Sequence, residues 1–93
     1  MLKADLLLSG LKANLGIVTS AYDERLTAYL NSAQQMIGRE GIALTDSAED
    51  STLTIQYAAW LWHDRDNGTG MPRMLRYALN NRLFSEKMKD ATG

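Results

Sequence analysis

This sequence predicts an all-α fold, a small bundle of four helices with short connections, and three observations carry that prediction. Apolar residues recur at three- and four-residue steps in four separate stretches, which is helical periodicity. Turn signals are sparse and fall at 16–20, 38–46 and 66–72. The chain has 93 residues, 45% of them hydrophobic, which suits a single domain spanning 1–93. A chain this short buries only about 60–65% of its unfolded surface. Small domains usually gain support from disulfides, metals or oligomerisation. With no cysteine and one histidine, disulfides, thiolate sites and multi-histidine sites are excluded, so oligomerisation remains.

The first helix is predicted from about Leu2 to Leu15, with Ala4, Leu7, Leu8, Leu11 and Leu15 on one face and Gly16 as its cap. Gly10, inside it, costs up to about 1 kcal/mol relative to alanine. The second is predicted to start at a Ser20 cap, with Asp23 and Glu24 in its first turn. Its stripe is Tyr22, Leu26, Tyr29, Leu30, Ala33, Met36 and Ile37, and Gly38 or Gly41 ends it. The third is expected to be capped by Asp46 with Glu49. Residues 53–62 are apolar nearly all round, as in a helix surrounded by protein. Trp60 and Trp62 lie about 200° apart on it, so one indole is expected in the core and the other at a subunit contact. The fourth is predicted from Pro72 to about Met88. One stripe there is Met71, Met74, Leu75, Ala78, Leu79 and Leu83, and an adjacent one is Tyr77, Phe84 and Met88. Two stripes exceed what one small core absorbs.

Ten basic and eleven acidic side chains give a net charge of −1, the wrong balance for gripping nucleic acid over the whole surface. The distribution is uneven. Residues 1–66 hold five basic against nine acidic groups, and residues 67–93 hold five against two. An acidic body with a basic tail is suited to head-to-tail association or to an acidic partner. No apolar run approaches the roughly 20 residues of a membrane span. Asp5 interrupts the opening leucines and no cleavage pattern follows, so a soluble, intracellular protein is expected.

The cluster His63, Asp64, Arg65 and Asp66 offers groups suited to metal binding or proton transfer. A metal needs further ligands converging from elsewhere, and a histidine and an arginine at a helix C-terminus are accounted for by the dipole. From Asp64, glycine falls at position five and Leu75 at twelve, so a calcium loop fails on spacing. There is no glycine-rich phosphate loop and no nucleophile elbow. The expectation is therefore no catalytic residue, no metal and no cofactor: an assembly component, not an enzyme.

Three segments also resemble a known family. They are Leu11-Lys12-Ala13-Asn14-Leu15-Gly16-Ile17 with Asp23-Glu24 and Ile37-Gly38, then 57–62 leading into Arg65-Asp66-Asn67-Gly68, then Gly70-Met71-Pro72 running through 75–80 to Arg82-Leu83-Phe84. In this order they resemble the head-tail connector, or adaptor, proteins of tailed bacteriophages, also described as phage DNA-packaging proteins. Gly16 departs from the arginine common there. The resemblance implies a ring-forming protomer beneath the portal vertex, with itself, the portal and a head-completion or tail component as partners. DNA would be passing channel cargo, with no membrane contact. The implied location is the virion head-tail junction, and the host cytoplasm during assembly. On this reading Trp60 or Trp62, Tyr77 and Phe84 contribute subunit or portal contacts, and Arg73, Arg76 and Arg82 meet acidic partner surface. The rival expectation is a small helical regulatory or DNA-binding module.

Overall fold

The computed structural model describes residues 4–65, 68 and 70–92, with side chains through Lys89. Among these residues it contains four helices and no strand: α1 (Ala4–Leu15), α2 (Asp23–Arg39), α3 (Ala48–Asp64) and α4 (Arg73–Thr92). The all-α prediction holds for these residues, while Leu2, the expected start of the first helix, lies outside them.

In α1 the leucines three and four residues apart do what the spacing requires. Leu7 and Leu11 are buried, and Leu8 and Leu15 pack against the core's edge. Gly16, at φ +73°, closes the helix in the left-handed region, with the Ile17 amide donating to the Lys12 carbonyl at 2.9 Å. The start of α2 corrects the expected Ser20 cap. Thr19 Oγ1 accepts from the Ala21 amide at 3.2 Å, which folds 19–22 into a separate turn. The helix then begins after Tyr22, which makes no side-chain cap. Asp23 bonds instead to Lys12 of α1 at 2.9 Å. Leu26, Leu30, Ala33 and Ile37 are buried, and the helix runs through Gly38 to Arg39 before Gly41, at φ +104°, turns the chain.

The cap of α3 is Ser47, not Asp46. Its hydroxyl accepts from the Asp50 amide at 3.1 Å. The one-residue shift puts Asp50 rather than Glu49 at the third helical position, where its carboxylate reaches back to Thr45. As its composition requires, α3 is the central helix and packs on α1, α2 and α4. Leu53, Thr54, Tyr57, Ala58 and Ala59 are buried, and the Thr54 hydroxyl is satisfied by the Asp50 carbonyl at 2.9 Å.

Thus α1, α2 and α3 pack mutually, and α4 leans on α3. The molecule measures 46 × 29 × 17 Å, two helix layers thick. Its radius of gyration is 13.5 Å, against about 12–13 Å for a compact chain this long. The buried face of α4 is Leu75, Leu79 and Arg82. Met74, expected in the core stripe, is 77% exposed and belongs to the outward face.

Gly10 marks a close crossing of α1 and α3. A Cβ there would lie 2.5 Å from Ile55 Cδ1. Cδ1 is the far end of a flexible, half-buried side chain that can turn aside, so the cost of the contact roughly offsets the helix propensity of about 1 kcal/mol gained. Gly10→Ala is therefore expected to change stability by no more than about 0.5 kcal/mol. In an Ile55→Val background, which removes Cδ1, the same substitution is expected to stabilise by about 0.5–1 kcal/mol. Urea unfolding of the four chains checks both values.

Candidate interaction surface

The position of α4 is fixed by a polar cluster at its centre. Arg82 is 5% exposed, and its guanidinium is shared among three partners. Nε donates to Asp50 Oδ1 at 2.7 Å, Nη1 to Glu86 Oε1 at 2.8 Å, and Nη2 to Asp50 Oδ2 at 3.2 Å and the Ala43 carbonyl at 2.9 Å. Asp50, fully buried, also accepts from the Thr45 amide at 2.7 Å and the Thr45 hydroxyl at 2.9 Å. Glu86 accepts a second bond from the Ala43 amide at 3.2 Å. The cluster ties the α2–α3 connection, the first turn of α3 and the middle of α4 together.

Burial alone would raise the Asp50 carboxyl. The hydrogen bonds from Arg82 and Thr45, and the Arg82 charge, overcome it and hold the group below its ordinary 3.8. Arg82 and the backbone amide of Ala43 likewise lower Glu86. These geometries overturn one expectation directly: Arg82 does not face a partner. Its charge is spent inside the protomer.

Arg76 is partly spent as well. It makes a two-pronged pair with Glu40 at the end of α2, at 3.1 and 2.9 Å, while remaining half-exposed. Arg73 stays exposed on the first turn of α4. Both indoles are half-buried and engaged within the chain. Trp60 meets Tyr57 edge to face at 5.5 Å and donates Nε1–H to the Gly70 carbonyl at 2.9 Å. Trp62 meets Tyr22 at 5.6 Å and Tyr29 at 5.9 Å, with the Arg65 guanidinium 4.0 Å above its ring. Both indoles pack against the core and both keep part of their surface outside it.

The surplus apolar surface lies on α4. Met74, Tyr77, Phe84 and Met88 are 77%, 54%, 65% and 51% exposed, and they share the side of the helix away from Leu75 and Leu79. Beside them runs a shallow groove between α3 and α4, lined by Gln56, Trp60, His63, Met74 and Leu75. Among the described residues, no three histidine, cysteine, aspartate or glutamate side chains converge on a metal-sized space. His63 and Asp64 lie at the end of α3, and Asp66 lies outside those residues. No described helix is long and apolar enough to cross a membrane.

Compared with protein families, curated proteins and solved structures, this chain matches none. Tyr77, Phe84 and Arg73, expected at subunit or portal contacts, are exposed. Sequence reasoning missed Asp50, Glu86 and the Ala43 carbonyl as the partners of Arg82, although Arg82 and Glu86 stand at the i,i+4 spacing of a helical ion pair.

Removing one member of a buried pair leaves the other charged and unpaired, which costs about 3–5 kcal/mol. Arg82→Met is expected to lose that much in urea unfolding, and Asp50→Asn/Arg82→Met to recover part of it. Because Asp50 has a lower pKa folded than unfolded, its contribution is complete above the unfolded value. It is lost as pH falls through the folded one. Stability of the wild-type chain should therefore drop below about pH 4. The Asp50→Asn variant, weaker at neutral pH, should show a shallower acid slope in the same titration.

Proposed function

We propose that this chain is a structural connector, a subunit whose role is to bind neighbouring proteins and not to catalyse. The observation that carries the reading is the outward face of α4, where large apolar side chains lie along one face of the helix away from the core. Soluble monomers rarely expose contiguous apolar strips of this kind, and those that do use them for contacts. The segment resemblance supplies the setting: a ring beneath a phage portal, extending the DNA channel and joining head to tail. In that setting Tyr77 and Phe84 bind the portal or a head-completion component. Leu6 on α1 and Met36 on α2, each exposed, are available to subunit neighbours. A closed ring needs two different patches per subunit, and these lie on different helices from the α4 face.

The rival reading, a small helical regulatory or DNA-binding module, would draw on the row of basic side chains that the fourth helix carries. Arg82 is buried against Asp50 and Arg76 is paired with Glu40, so that row presents less charge to a phosphate backbone than its composition suggests.

Electron micrographs of the purified chain mixed with its portal provide the test. The expected outcome is an added ring of density on the portal. Phe84→Glu, at an exposed position, should change stability by no more than about 0.5 kcal/mol while removing that density. A chain that stays monomeric and leaves the portal bare ends the connector reading. A gel shift on DNA with steep salt dependence would favour the rival.

A further inference from the structure

Along α4 the outward residues advance in a fixed rhythm: Met74, Tyr77, Asn81, Phe84 and Met88 are separated by three, four, three and four positions. At about 100° per residue they fall within an arc of about 80°. This is the 3.5-residue repeat of a coiled-coil seam, with an asparagine at its central position. A strip with this period matches another helix better than a flat or irregular surface, because knobs at alternating three- and four-residue steps fit the holes of a facing helix.

Charge narrows the partner further. One flank of the seam carries Arg73, Asn80 and Lys87. Arg73 and Lys87 carry no ion pair among the described residues. The other flank carries the uncharged Ala78 and Ser85. Two copies of α4 side by side would leave both basic flanks unmatched, and antiparallel copies would set them against each other. Nor do the other helices provide a matching face. Among the described residues α1 exposes one large apolar side chain, Leu6, and α2 one, Met36, while α3 exposes none.

We infer that the α4 seam takes a helix of a different protein, with apolar residues at heptad spacing, a polar residue opposite Asn81 and carboxylates along the flank that meets Arg73 and Lys87. The inference rests on the reading of α4 as a docking face and names the chemistry of what docks there. Asn81 sets the register, since an amide in an apolar seam is satisfied only in the alignment that brings a polar partner opposite it.

The probe is a fluorescein-labelled synthetic peptide of three heptads, with leucine at the seam positions, one central asparagine and glutamate along its flanks. A matched peptide carries lysine in place of glutamate. In anisotropy titrations of the full chain, the glutamate peptide is expected to bind at least about tenfold more tightly than the lysine peptide, and to weaken as salt is raised. Phe84→Glu should weaken binding by about tenfold or more, and Arg73→Glu/Lys87→Glu should reverse the preference between the two peptides. Circular dichroism of each variant confirms that the fold is retained. Equal binding of both peptides, binding of neither, or indifference to Phe84→Glu overturns the inference. So does sedimentation equilibrium showing self-association of the full chain that Phe84→Glu abolishes, because the seam then belongs to a second copy. The connector reading fails separately: a bare portal with the glutamate peptide still bound removes that reading alone. A portal complex that forms and is abolished by Phe84→Glu, with no preference between the two peptides, removes this inference alone.

Discussion

A guanidinium taken out of water must find acceptors for its donors or forfeit several kcal/mol, and the rest of this fold is arranged around meeting that demand for Arg82. Asp50 supplies both carboxylate oxygens, Glu86 a third acceptor and the Ala43 carbonyl a fourth. The acceptors come from three separate parts of the chain. Asp50 reaches its place because Ser47 caps α3 and starts the helix one residue later than Asp46 would. Ala43 is near because Gly41 turns the chain sharply after α2. Thr45 completes the set by donating both its amide and its hydroxyl to Asp50. Apolar packing of Leu75 and Leu79 tolerates some sliding and rotation of α4. The directional bonds of Arg82 do not, so they select one rotation of that helix.

Selecting the rotation decides what the protein shows to its surroundings. With Arg82, Leu75 and Leu79 turned inward, the residues about half a turn away must face out, and these are Met74, Tyr77, Asn81 and Phe84. The same geometry revises the meaning of the uneven charge along the chain. A basic tail on an acidic body reads in one dimension as an invitation to another molecule. In three dimensions Arg76 finds Glu40 and Arg82 finds Asp50, so part of the attraction is used to dock the tail on its own body. Arg73 and Lys87 retain exposed charge, and they flank the apolar seam.

How much of this was legible in the linear chain differs from element to element. The burial of Leu7, Leu11, Leu26, Leu30 and Ile37 follows from three- and four-residue spacing, because a helix offers one face to a core and a local period identifies that face. The apolar circumference of α3 correctly marked the central helix. Gly16 was read correctly as the end of α1, but the N-terminal caps of α2 and α3 were missed by one or more residues, since Ser20, Asp46 and Ser47 are all chemically able to cap and only the surrounding turn decides. Thr19 bonding to Ala21 disposed of Ser20, and the reach of Asp50 to Thr45 favoured Ser47. Met74 was assigned inward because it continues a stripe with Leu75 and Ala78. That stripe is wide, and the one-sided contact of α4 with α3 buries only its centre. The ion pair of Asp50 with Arg82 spans 32 positions, a separation at which no sequence period operates.

The mode of attachment of α4 also bears on how its outward face would work. A docking strip loses less on binding when it is already held rigid, because ordering side chains and backbone is part of the cost of association. Here Arg82 stands between Tyr77 and Phe84 on the opposite side of the same helix, with Leu79 fully buried in the same stretch. The strip from Tyr77 to Phe84 is therefore backed directly by the buried cluster, and Glu86, bonded to Ala43 of the α2–α3 connection, follows it closely along the helix. Interface energy concentrates where large aromatic side chains sit on a firm support at the middle of a contact. By that argument Tyr77 and Phe84, two turns apart and straddling Asn81, form the centre of the surface. Met74 and Met88, unbranched and adaptable, form its two ends.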